Sequence, residues 1–74
     1  MAQAVTERIA ANVRLELAKQ RITKTALAEH LGVSKPWVFR RVHGRTPFRA
    51  EELVAVADVL GVTVASLYDG RDVT

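Results

Sequence analysis

Lys24, Lys35, Arg40, Arg41 and Arg45 crowd into the stretch KTALAEHLGVSKPWVFRRVHGR, with Trp37 and Phe39 set among them and Thr25, Ser34 and Thr46 alongside. Ammonium and guanidinium groups only donate hydrogen bonds, so they seek acceptors such as phosphate oxygens or the N7 and O6 of a guanine. Charge is distributed to match. Residues 24–49 hold six cations and one acid, residues 1–23 hold four and two, and residues 50–74 hold one and five, which together make the net +3. A basic middle on so small a chain points to a polyanion at one face, the acidic end being turned away or used elsewhere. An ordinary solvated surface of mixed charge is the plainer alternative.

Other chemistry finds little support. The chain has no cysteine, which excludes disulfides and thiolate metal sites and suits a reducing compartment. His30 and His43 have no acidic partners at ligand spacing, so no metal and no cofactor are expected. Neither a Ser/His/Asp set nor a glycine-rich phosphate loop is present, and no enzymatic activity is expected. No apolar run approaches the roughly 18 residues of a membrane span, and MAQAVTERIAANVR lacks the apolar centre of a signal peptide. A single soluble domain over residues 1–74 is the expectation, working in the cytoplasm near the nucleoid, or in a host's cytoplasm if phage-encoded.

Holding those side chains in place requires short helices. Ile9, Val13 and Leu17 recur at i, i+4 and i+8, predicting a first helix from about 4 to 20, with Thr6 as a cap, Glu7 suiting its positive start and Leu15 pointing off the stripe. Thr23 caps a second helix over 24–31, where Ile22 and Leu27 are spaced as a hydrophobic staple. Gly32 then turns the chain and Ser34 caps a third helix over about 35–43, with Pro36 tolerated in its first turn and Val38 and Val42 as its core stripe. Gly44 stops it, Arg45-Thr46-Pro47 forms a loop and Phe48 plugs that loop onto the core.

AEELVAVADVL makes a fourth helix with Leu53, Val56, Ala57 and Leu60 inward and Glu51 and Glu52 at its positive end, although Arg49 is a poor cap. Gly61 ends it, Thr63 starts a short fifth helix through VASLY, Asp69-Gly70 breaks that, and residues 71–74 fray. No internal repeat stands out. The result is an all-α globule of five helices with a core that must be compact, since a chain this short buries only roughly 60–65% of its extended surface.

On this scaffold the cationic residues take distinct roles. Lys24 and Thr25, at the start of the second helix, are placed to grip a phosphate through side chain and backbone N–H. Ser34 is a cap first and a DNA contact second. Lys35 and Arg40 project away from Val38 and Val42 and are the candidates for reading base edges, each bidentate pair being worth about 1–3 kcal/mol of discrimination. Arg41 on the flank and Arg45 in the loop would meet phosphate, with Thr46 as a helper. Trp37 either packs on the edge of the globule or touches sugar or a thymine methyl, and Phe39 has the same two options.

The ordered features of VRLELAKQRITKTALAEHLGVSKPWVFRRVHGRTPFRAEELVAVADVLGVTVASLYDG resemble the Cro and lambda-repressor-type (XRE-like) helix-turn-helix family over roughly residues 5–70. A valine-serine start, a double Arg, a threonine-proline-phenylalanine loop and a final leucine-glycine-valine resemble an actinobacterial and actinophage branch. The resemblance implies a five-helix lambda-repressor-like domain whose second and third helices form the helix-turn-helix. It would bind operator DNA, through the major groove and phosphates, usually as a transcriptional repressor. Three departures stand out: Lys24 replaces the usual Gln, Arg41 replaces an apolar residue whose role passes to Val42, and Arg49 replaces a Thr or Ser cap at a cost of about 1 kcal/mol.

The expected function is sequence-specific binding of double-stranded DNA as a transcription regulator, a phage Cro-like protein or small repressor. An antitoxin-like or regulatory protein-binding module, docking through the acidic fourth and fifth helices, is the alternative; a recombination accessory factor would share the DNA chemistry. A homodimer on two half-sites is allowed for, with Leu67, Tyr68 and Val73 as interface candidates.

Overall fold

A computed structural model describes residues 2–69. They form five helices and no strand: α1 (Ala2–Gln20), α2 (Lys24–Leu31), α3 (Lys35–Val42), α4 (Ala50–Leu60) and α5 (Val64–Asp69). The periodic apolar residues meet in one core. Ile9, Val13 and Leu17 of α1 face Leu27 and Ala28 of α2, Val38 and Val42 of α3, Leu53, Val56, Ala57 and Leu60 of α4, and Leu67 of α5. Half-buried Ile22, Val33, Phe48 and Val62 from the connections pack around it.

Each of the first four helices ends in the same way, with backbone bonds that consume its last carbonyls. Ile22, Val33, Arg45 and Val62 donate their N–H groups to the carbonyls of Leu17, Ala28, Arg40 and Ala57, at 2.9, 3.0, 2.8 and 3.0 Å. Between helix and bond lies one left-handed residue: Gly32 (φ 70°), Gly44 and Gly61 (φ 67°), and Arg21, a non-glycine at φ 58°. Three of the four closing residues are apolar and lie on the core, but the one after α3 is Arg45, which is exposed.

The turns after α2 and α4 repeat a sequence: Ala28–Ser34 reads AEHLGVS and Ala57–Thr63 reads ADVLGVT. No such repeat was expected. Its two hydroxyls do the same work, the Ser34 Oγ accepting from Trp37 N–H at 3.2 Å and the Thr63 Oγ1 from Ser66 N–H at 3.1 Å. Thr23 caps α2 likewise, accepting from Ala26 N–H at 3.0 Å.

The side chains of α1 finish the remaining helix ends. Arg14 donates to the carbonyl of Val42 at the end of α3, Gln20 to that of Leu60 at the end of α4 (2.6 Å), and Asn12 to that of Leu67 in α5 (2.6 Å). Orphan carbonyls of three helices are thus satisfied by one. Sequence periodicity gives no sign of this, because the partners lie 28 to 55 residues away.

Some expectations need correcting. α1 starts at Ala2, so Thr6 lies inside the helix rather than capping it. Asp69 belongs to α5 instead of breaking it, and α3 ends at Val42 with His43 as its cap. Leu67, offered as an interface residue, is only 2% exposed and is part of the core. Tyr68 is exposed; Val73, the break at Gly70 and the fraying of 71–74 lie outside the described residues. Arg49 has no acceptor on its side chain, but its backbone N–H is bonded by the Glu52 carboxylate at 2.8 Å, half of a capping box.

Candidate nucleic-acid interface

Burial of Val38 and Val42 turns the opposite side of α3 to solvent, and the exposed residues there are Lys35, Pro36, Phe39, Arg40 and His43. They sit at i, i+1, i+4, i+5 and i+8, one stripe of a 3.6-residue helix. Ser34, exposed at the helix start, is already engaged as the cap. Packing of α2 against α3 brings Lys24 to this stripe, its Nζ lying 5.3 Å from the centre of the Phe39 ring. Exposed Thr25 follows it and, with Lys24, Thr23 and Arg14, lines a shallow hollow on one side of that ring. Arg40, His43 and Arg45 line a second hollow together with Phe39.

The turn that ends α3 fixes where Arg45 stands. Both Arg45 N–H and Thr46 N–H are donated to the Arg40 carbonyl, at 2.8 and 3.2 Å, so the loop is folded back against the helix and Thr46 is half-buried. Lys24, Thr25, Lys35, Phe39, Arg40 and Arg45 therefore share one side of the molecule.

Arg41 and Trp37 lie apart from it. The Arg41 Nε donates to Glu52 Oε1 at 3.1 Å, its guanidinium carbon stands 3.9 Å from the centre of the Trp37 ring, and its side chain is 13% exposed. Trp37 in turn packs edge-on against Phe48, ring centres 6.4 Å apart. The phosphate role expected of Arg41 does not fit this placement: the group is spent tying α3 to α4. Trp37 takes the packing option. Burial would by itself raise the Glu52 pKa, yet the bond from the Arg49 backbone N–H and then the Arg41 guanidinium outweigh it and hold the carboxyl below its ordinary value.

A family model described as a helix-turn-helix domain matches residues 6–67. The chain belongs to the helix-turn-helix domain family. No curated protein and no solved structure gives a significant match. In the helix-turn-helix unit, α2 and α3 are the paired helices and α3 the one whose outer face is free. The five-helix arrangement around it is consistent with a lambda-repressor-like fold, and the architecture is one that binds DNA. No helix among the described residues is long and apolar enough to cross a membrane.

Two residues of this helix-turn-helix face were not anticipated. His43 is exposed at the end of α3, its ring 5.0 Å from that of Phe39. Desolvation by its neighbours and then the positive charges of Lys24, Arg14 and Arg45 lower its pKa below the ordinary histidine value. The signal was present, since His43 lies four residues after Phe39 and eight after Lys35 on the same stripe. Arg14 joins the cluster from α1 because it is anchored on the Val42 carbonyl, a long-range contact with no local signature.

Proposed function

We propose that this chain is a sequence-specific double-stranded DNA-binding transcription regulator, a Cro-like protein or small repressor of the XRE-like type that occupies an operator and blocks promoter access. The observation that carries this reading is the outward stripe of α3, where Lys35 and Arg40 stand clear of the core beside Lys24 and Arg45. Lys35 and Arg40 donate to guanine N7 and O6 in the major groove. Lys24, Thr25 and Arg45 hold the sugar-phosphate backbone and set the angle of α3; these contacts position the protein and carry no sequence information.

Phosphate contacts release counterions, which makes the reading testable by salt. With roughly five to eight phosphates neutralised, log affinity for a selected operator falls by about 4 to 7 per unit of log salt concentration. A flat response, measured by anisotropy titration, overturns the proposal.

A further inference from the structure

Phe39 is 54% exposed in the middle of a face whose other side chains, Pro36 apart, donate hydrogen bonds. It does nothing for the core, since Val38 and Val42 are the residues of α3 that fill it. Nor is it a loosely solvated ring. The Lys24 ammonium lies over it at 5.3 Å and the His43 imidazole leans on it at 5.0 Å, so groups from α2 and from the end of α3 hold its orientation. The ring is a ridge shared by two hollows, one lined also by Arg14 and Lys24 and the other by Arg40, His43 and Arg45.

A fixed apolar ridge among donors needs a ligand with one apolar group surrounded by acceptors. The major groove of duplex DNA supplies that pattern: its N7, O6 and O4 atoms accept hydrogen bonds, and the apolar group on its base edges is the C5 methyl of thymine. We infer that Phe39 is a specificity-determining residue that recognises a thymine through its C5 methyl. The inference rests on the DNA-binding reading of the same face and adds to it a base identity that neither Lys35 nor Arg40 selects. Phe39 follows Lys35 by four residues, about 6 Å along the helix, so the thymine lies within about two base pairs of the base read by Lys35.

Deoxyuridine isolates the methyl, because it pairs and presents O4 as thymine does. Duplexes bound by the full chain are first selected from a random pool, and each thymine of the consensus is then replaced singly by deoxyuridine. At one thymine of the consensus the loss of the methyl weakens binding about 4-fold, the worth of one buried methyl-sized group. Phe39→Ala weakens binding to the thymine duplex by at least that factor and no longer distinguishes thymine from deoxyuridine there, while Phe39→Leu keeps a preference. A helical circular-dichroism melt confirms that both variants fold.

Two results overturn the inference: no thymine whose methyl matters, or a methyl effect that persists undiminished in Phe39→Ala. Either one, found alongside selective and salt-dependent binding, leaves the DNA-binding reading standing. Enrichment of no sequence at all removes that reading, and the role of Phe39 with it.

Discussion

The turn after α2 and the turn after α4 have nearly the same sequence, the same left-handed glycine and the same hydroxyl cap, yet they launch helices of opposite character. Aligning Ser34 with Thr63 sets Val38 against Leu67, both buried, and Phe39 against Tyr68, 54% and 43% exposed. The next pair reverses in charge, Arg40 against Asp69, and Lys35 is matched by half-buried Val64. The turn of a helix-turn-helix is therefore a way of joining two short helices, and among the described residues it occurs after α1 as well as after α2 and α4. What makes one of them a candidate for DNA is the charge of the outward residues, since a carboxylate at the position of Arg40 would repel phosphate.

Replacing those charges tests the comparison most directly. Lys35→Ala with Arg40→Ala removes the two proposed base contacts, worth about 1–3 kcal/mol each, and operator affinity is expected to drop by about 30-fold or more with an unchanged helical spectrum. Asp69→Ala, the α5 counterpart, leaves affinity within about twofold of the original, as expected for a site remote from base readout. A comparable loss in both would mean that the two turns do not differ in function.

A smaller effect probes the shared turn. Gly32 and Gly61 have φ of 70° and 67°, and a Cβ at either meets nothing within 4 Å, so strain in the left-handed conformation is the whole cost of an alanine. Gly32→Ala and Gly61→Ala are each expected to lower stability by about 1–2 kcal/mol, equally, in denaturant melts. Unequal losses would show that the turns are not equivalent in energy.

The smallest effect concerns His43, which has no counterpart among the described residues of α5. In the free protein its neighbours favour the neutral ring, whereas a bound phosphate favours the charged one. Binding therefore takes up a proton, and affinity rises as pH falls through the ordinary histidine range, by at most about tenfold per pH unit. His43→Gln abolishes that slope; its persistence in the variant assigns the proton elsewhere.

Much of this was legible in the sequence because it is local. Caps at Thr23 and Ser34, stops at Gly32 and Gly61 and the apolar period of each helix depend on residues three or four positions apart, and the outward direction of Lys35 and Arg40 follows from Val38 and Val42. Misreadings arose where a distant partner decides. Periodicity leaves Arg41 on a flank, open to solvent or protein, and Glu52 on the next helix settles it. Arg14, Asn12 and Gln20 received no role from the sequence, because nothing nearby reveals the carbonyls they bond. The repeat was overlooked for a different reason: it spans only seven residues, and the charges that follow its two copies differ, Lys35 against Val64 and Arg40 against Asp69.

The bonds from α1 to the ends of α3, α4 and α5 bear on how the protein matures in the cell. On the ribosome α1 emerges first, but the groups that satisfy Arg14, Gln20 and Asn12, and the Leu67 side chain of the core, are synthesised after it. The native arrangement of the five helices must wait for α5, so residues 2–69 fold as one unit once α5 has cleared the exit tunnel.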